Sequence, residues 1–441
     1  MGKLLFIHNA RLVDSKIDAM GTVVVENGKI SKVLIEGTDQ LPDYFSKKGD
    51  KALWNADVYD AKGLVLMPAF IDMHSHFRYP GQTHKEDLNT GCHAAAAGGY
   101  GTVVLMPNTT PVVSSVEDAS LIRDKSAGFN CVDVLQTISI TKDFDGKTVS
   151  HLNELTDNRL PKGCLEVPVV TEDGKDVADD ETMLKAMKIC AEKGVIVSCH
   201  CENPALVPEA KKFREERNFA EAERVLAEAE DSFTARNIEL ALKAGCRINI
   251  CHCSTAKSLD YVRKAKSTPE GKKLVTCEVT PHHLALSCED EGFGEEFVNP
   301  PLRSRSDRAA VIEALKDGTA DIIATDHAPH TLEEKRAGAC GFTGLETAFS
   351  AVCTKLVHEE GFSLKKISAL MSAKPAEILG LKKGRLLPGY AADLVLVDPD
   401  EEYTVCPADF CSKGKYTPLE GKTLKGRVKQ TFFAGTPLKK A

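Results

Sequence analysis

Aromatic residues are scarce in this sequence, at 6% of 441 residues with a single tryptophan, so base-stacking platforms are few. A net charge of -8 denies it a phosphate-neutralising surface as well, and nucleic acid is not an expected partner. Long apolar runs are missing too. Residues 103–106 and 322–324 are among the longest, far short of the roughly 18 that a membrane span needs. Residues 4–7, followed at once by His8, Asn9 and Arg11, are too few for a secretory core of roughly 7–15 residues. A cytoplasmic address and no membrane partner are expected. No GxxxxGK[ST] phosphate loop occurs, and Gly98-Gly99-Tyr100-Gly101 reads as a helix-to-strand turn. None of the fifteen cysteines forms a CxxC pair, which speaks against a structural zinc framework. Their odd number and low density fit reduced thiols better than a disulfide scaffold.

What remains is the composition of an ordinary folded protein, 42% hydrophobic and 27% charged. The length suits two or three domains of roughly 100–200 residues, or one large barrel with an appendage. Residues 3–60 show short alternating strands around the turn Asn27-Gly28-Lys29, a small antiparallel β-unit. The last sixty residues look alike, through 392–397 to a final strand near 430–433. Between these ends apolar strands alternate with amphipathic helices, the mark of parallel βα units. Eight strands are expected, near 65–72, 101–106, 132–138, 165–170, 195–200, 247–252, 274–279 and 321–325. Helices are expected over 180–192, 232–244, 258–266 and 307–316, with one or two more over 363–379 and a solvated pair over 209–230. Eight such units fit an α/β fold of the (β/α)8 TIM-barrel type, whereas a doubly wound sheet more often has five or six strands. The expected organisation is a small β-sandwich domain formed from the N- and C-terminal segments, 1–63 and 381–441, around a catalytic barrel at 64–380.

Chemistry concentrates where these strands end. Residues i and i+2 of a strand share a face, so His74, His76 and Arg78 in Asp72-Met73-His74-Ser75-His76-Phe77-Arg78 point one way, and two imidazoles at that spacing can share a metal. Strand four runs into Glu172-Asp173-Gly174, strands five and six end at His200 and His252, and strand eight ends in Asp326-His327-Ala328-Pro329-His330. Any one of these is readily a polar cap; together, on the rim where barrel active sites lie, they form a metal constellation. Cys199, Cys201, Cys251 and Cys253 flank His200 and His252. By strand alternation they should point outward and pack as small hydrophobes.

These runs carry a resemblance. The segment from Met67 to Glu86, together with Met106-Pro107-Asn108-Thr109, Thr280-Pro281-His282-His283, Asn299-Pro300-Pro301-Leu302-Arg303 and Thr325-Asp326-His327-Ala328-Pro329-His330, resembles the signature of class I, bacterial-type dihydroorotases in the amidohydrolase superfamily. The resemblance implies a first metal on His74, His76 and Asp326, a second on His200 and His252, and Asp173 bridging them with a hydroxide. Glu172 and Lys175 are alternative bridges. It implies zinc, two ions per subunit, and substrate contacts from His76, Arg78, Asn108, Asn299, His330 and the Cys340-Gly341 backbone. Tyr79 stands where a glutamate is common, residues 331–339 are shorter than usual, and Cys340 replaces an aromatic residue.

The expected activity is reversible cyclisation of N-carbamoyl-L-aspartate to L-dihydroorotate in de novo pyrimidine biosynthesis. Zinc lowers the pKa of bound water to about 7. Asp326 is then the expected catalytic acid/base, carrying a proton between the nucleophile and the leaving nitrogen. A guanidinium at Arg78 suits a substrate carboxylate, which neutral hydantoins and dihydropyrimidines lack. The rivals are a hydantoinase, dihydropyrimidinase or allantoinase, which usually carry a lysine bridge, and an inactive partner of aspartate carbamoyltransferase, which would have lost ligands. Homo-oligomerisation and association with aspartate carbamoyltransferase stay open. The sequence assigns no role to His282 or His283, and His84 reads as a capping or surface residue.

Overall fold

Alternating apolar residues build the first sheet. β1 (Leu4–Val13) pairs antiparallel with β2 (Asp18–Glu26), and β2 with β3 (Lys29–Ile35). The β2–β3 turn is Asn27-Gly28, both at positive φ (53° and 73°), the backbone a two-residue hairpin needs. The unit is not purely antiparallel, because β1 also pairs in parallel with β4 (Ala56–Asp60) and β5 (Val65–Pro68). This computed structural model describes residues 4–38, 56–155, 165–292 and 297–439; the part of the expected β-unit over 39–55 lies outside them.

The single strand expected over 65–72 is two. β5 stays in the terminal sheet, and β6 (Phe70–Ser75) is the first barrel strand. Around the barrel follow β7 (Tyr100–Leu105), β8 (Asp133–Gln136) continued by β9 (Ile138–Ser139), β10 (Val169–Thr171), β11 (Ile196–Cys199), β12 (Ile248–Ile250), β13 (Val275–Val279) and β14 (Ile322–Ile323), each parallel to its neighbour. A parallel bridge from Ser75 to His327 closes the ring. Helices cover it as expected, among them Asp180–Lys193, Ala256–Lys266 and Arg305–Asp317. The helix expected over 232–244 is longer, Phe219–Ala244, and with Val207–Glu215 it absorbs the charged tract.

The chain then returns to the first sheet through β15 (Leu394–Thr404), β16 (Thr423–Phe433) and β17 (Thr436–Pro437). β15 pairs with β5, so the two chain ends form one continuous sheet in the order β17-β16-β15-β5-β1-β2-β3, the β-sandwich beside the TIM barrel. Inside the barrel, Ile71, Val104, Leu135, Val169, Ile196 and Ile322 pack with Ile378 and Leu379 of the helix Lys374–Leu379. This apolar plug closes one end, leaving polar strand ends to line the other. Among the described residues no helix is long and apolar enough to cross a membrane.

Candidate metal centre and active site

Six side chains converge at the strand ends, all buried. His74 and His76 are two residues apart, and their Nε2 atoms lie 3.6 and 3.2 Å from Asp326 Oδ1. Asp173, just beyond β10, occupies the centre. Its Oδ1 is 3.3 Å from His74 Nε2 and 3.4 Å from His200 Nδ1, and its Oδ2 is 3.6 Å from His76 Nε2. His200 Nδ1 in turn faces His252 Nε2 at 3.0 Å. Two triplets, His74/His76/Asp326 and His74/Asp173/His252, each bring ligand atoms within 4.8 Å of one another.

The electrostatics show what this cluster requires. Burial pulls the His74 imidazole down, yet the charges of Asp173 and Asp326 outweigh it and raise its pKa well above the ordinary value. Burial would likewise raise Asp173, but His74 and His200 hold it well below the usual carboxylate range. Asp326 is lowered in the same way, its burial outweighed by His74 and His76. His252 goes the other way, kept neutral by burial beside His200 and His74. Two carboxylates therefore draw positive charge into a site built of imidazoles, while buried His74 Nε2 makes no hydrogen bond among the described residues. Nitrogen and carboxylate donors in this arrangement suit a divalent cation of the zinc type.

The residues expected at a substrate mouth lie on the same rim. The Arg78 side chain is buried; its Nε donates to Pro329 O at 3.2 Å and its Nη2 lies 3.2 Å from His330 Nε2. Burial lowers the guanidinium to about 10. His330 Nε2 also lies 2.9 Å from Cys340 O, and burial beside Arg78 pushes the ring down to about 4. Asn108 bridges two cluster residues, donating to Asp173 Oδ2 at 2.8 Å with its Oδ1 2.9 Å from His76 Nδ1. Asn299 Nδ2 lies 3.0 Å from Glu202 Oε1 and 3.3 Å from His200 Nε2. Gly341 has φ 114°, and a Cβ there would meet Ala328 Cβ at 2.7 Å, so only glycine lets this loop lie so close to the strand-eight segment.

Comparison with known proteins agrees. Residues 65–438 match the amidohydrolase family. The chain is 42% identical over 431 residues to a dihydroorotase of Clostridium botulinum (strain Eklund 17B / Type B), covering 98% of each chain. It is 39% identical over 424 residues to a dihydroorotase of Bacillus subtilis (strain 168), covering 94% of this chain and 96% of the relative. The chain belongs to the dihydroorotase family. In fold it is similar to an L-hydantoinase (dihydropyrimidinase) from Arthrobacter aurescens, with a TM-score of 0.86 at 23% identity over 99% of this chain and 96% of that one. A dihydropyrimidinase from Brevibacillus agri NCHU1002 gives 0.82 at 24% identity over 99% and 95%. The activity class is hydrolysis of cyclic amides, and the buried histidine and aspartate cluster is where such an enzyme's metal fits.

One expectation about the dihydroorotase cluster needs correction. Cys199, Cys201 and Cys253 pack in the apolar layer outside the barrel strands, as expected, but Cys251 does not. It points inward, 3.0 Å from Ser198 Oγ and close enough to His74 and Glu278 to share a cation with them. Alternation on β12 puts Asn249 and Cys251 inside, so His252 has the outward phase. A left-handed turn at His252 itself, φ 32°, swings it back into the cluster. Every described cysteine is a free thiol.

The sequence reading also missed four carboxylates that support the dihydroorotase site. Glu278 receives His74 Nδ1 at 2.8 Å, and Glu202 lies 3.7 Å from His200 Nε2. Asp72 accepts from Thr325 N at 2.8 Å and Oγ1 at 2.5 Å, anchoring the segment that carries Asp326. Glu86 Oε2 lies 3.5 Å from His327 Nε2, while His327 Nδ1 accepts from Gly344 N. Glu278 had a usable signal: one acid in the otherwise apolar end of β13. His282 and His283 are buried; His283 binds Thr280 Oγ1 and Pro301 O, and His282 packs on Phe342. His84 is a surface residue, 3.2 Å from Glu334 Oε1.

Proposed function

We propose that the chain interconverts N-carbamoyl-L-aspartate and L-dihydroorotate, with Arg78 holding the substrate carboxylate. The carrying observation is Arg78 itself. Its guanidinium is buried, and among the described residues no carboxylate lies within ion-pair distance of it. A buried cation with no anion in contact is unfavourable by several kcal/mol, which a substrate carboxylate would offset. A neutral hydantoin ring offers no such partner.

His74, His76 and Asp326 would hold one zinc ion, His200 and His252 a second, with Asp173 between them; its carboxylate already faces three of the four imidazoles. When bound, the cations supply a water acidic enough to lose its proton near neutral pH and polarise the carbonyl under attack. Asp326 Oδ1 sits against the Nε2 atoms of His74 and His76, at 3.6 and 3.2 Å. In ring opening it takes the proton of the attacking water and delivers it to the amide nitrogen as the ring C–N bond breaks. In ring closure it takes a proton from the ureido nitrogen as that C–N bond forms and water leaves. Asn108, Asn299, His330 and the Cys340-Gly341 backbone would complete the substrate contacts. The free thiols support a reducing, cytoplasmic setting.

The test is metal analysis of protein purified without chelators, with L-dihydroorotate hydrolysis followed by absorbance. Zinc near two equivalents and turnover in both directions are expected. Metal-loaded protein without turnover in either direction sinks the assignment.

A further inference from the structure

Glu278 is completely buried at the end of β13, on the strand that contributes none of the six clustered residues. Both of its oxygens are engaged. Oε2 accepts from Asn249 Nδ2 at 2.9 Å, while Oε1 faces the backbone N–H of His252 at 3.4 Å and His74 Nδ1 at 2.8 Å. Asn249 is itself oriented, since its Oδ1 takes the Thr276 hydroxyl at 3.2 Å. With a carboxylate as its neighbour, His74 Nδ1 must be the donor. The remaining nitrogen, Nε2, is then the one aimed at Asp173 and Asp326, 3.3 and 3.6 Å away, and it makes no hydrogen bond among the described residues, which leaves it to a cation that displaces its proton.

The contact with His252 matters as much. That residue has the outward phase on β12 and enters the cluster only through its left-handed backbone, a conformation that a histidine adopts at some steric expense. The N–H that Glu278 faces belongs to that same strained residue. One carboxyl group thus contacts a ligand candidate from each half of the cluster.

We propose that Glu278 is a positioning residue for the metal centre, setting the tautomer of His74 and the bend at His252 so that both present a lone pair inward. The inference rests on the metal-dependent reading above. It assigns strand seven a function that its lack of a direct ligand conceals. Carboxylates paired with the far nitrogen of a ligating histidine typically contribute about 10–100-fold in metal affinity.

The experiment compares wild type, Glu278→Gln and Glu278→Ala, reading zinc affinity by competition with a chromogenic chelator and the visible spectrum of the cobalt-loaded proteins. Kinetic constants for L-dihydroorotate are measured alongside. Zinc affinity should fall roughly 10–100-fold in Glu278→Ala and by less in Glu278→Gln, which retains an acceptor for His74. The cobalt spectrum should shift, and kcat should drop with KM little changed. A purely structural glutamate would lower the melting temperature but leave the affinity and spectrum of the folded protein alone. Should the alanine variant not fold, the isosteric glutamine variant decides. Wild-type affinity and spectrum in a folded variant overturn the proposal. A wild-type protein that binds zinc without turning over L-dihydroorotate overturns the functional reading and leaves this one standing; one that binds no metal overturns both.

Discussion

The barrel rim and the junction of the two chain ends both bury ionisable groups, and they do so in opposite ways. At the junction, Asp14 accepts from Lys16 N, Ile17 N, Arg385 Nε and Leu386 N, at 2.6, 2.7, 3.0 and 3.0 Å. Burial would raise its pKa, but these donors outweigh it and lower it. Nearby, buried Lys383 reaches Thr102 Oγ1, Asp133 and Asp393. Every charge there has its partner. At the rim, two carboxylates and four imidazoles crowd together, and among the described residues His74 Nε2 makes no hydrogen bond and no carboxylate lies within ion-pair distance of Arg78. Saturated networks hold the fold together, while unsaturated, convergent ones await a ligand.

Three substitutions can break this contrast. The largest effect should come from Asp326→Asn, which removes the proton carrier and a metal donor. A loss of about 10²–10⁴-fold in kcat is expected from the missing proton transfer, with the melting temperature little changed. A variant that kept most of its turnover would remove Asp326 from the chemistry. Next is Arg78→Ala, where losing a desolvated charge partner should weaken interaction with L-dihydroorotate by about 2–5 kcal/mol, thirtyfold or more in kcat/KM. A neutral hydantoin should feel far less. Equal losses on both substrates would mean that Arg78 shapes the loop rather than binding the carboxylate.

Asp14→Asn should act in the other direction, lowering unfolding free energy by about 1–3 kcal/mol while leaving kcat and KM unchanged. Its pH dependence has a definite sign. The folded pKa of Asp14 is depressed, so its stabilisation is complete above the unfolded value of about 3.9 and is lost as pH falls through the lower folded value. Denaturant curves of wild type and variant should therefore differ most near neutrality and converge under acid. A gap that widened with acidification would show that the Asp14 charge is not what stabilises the junction.

Much of the rim was legible because strand periodicity is local. His74 and His76 share a face on any β-strand, and His200 follows Ile196 and Ser198 on the inward face of β11. His252 was identified from its place at a strand end, but the inward phase then assumed for it is one the backbone does not obey, since a single left-handed residue reverses the side chain's direction. Cys251 was misplaced for the same reason. The division of residues 65–72 into two strands escaped the sequence because both pieces are apolar, and only their partners, β15 and β7, tell them apart.

By itself, then, the sequence determined the alternation of strand and helix, the recurrence of histidine and aspartate at strand ends, and the family signature those residues spell. These depend on spacing along the chain. Only the tertiary structure decided which carboxylate orients which imidazole. Glu278 and His74 are 204 residues apart, and the bond between them exists because eight strands close into a ring. Asp14 and Leu386 meet because β5 and β15 pair. Hydrogen bonds are short-ranged and directional, so partners distant in sequence become partners only once the whole barrel and its β-sandwich have brought them within reach.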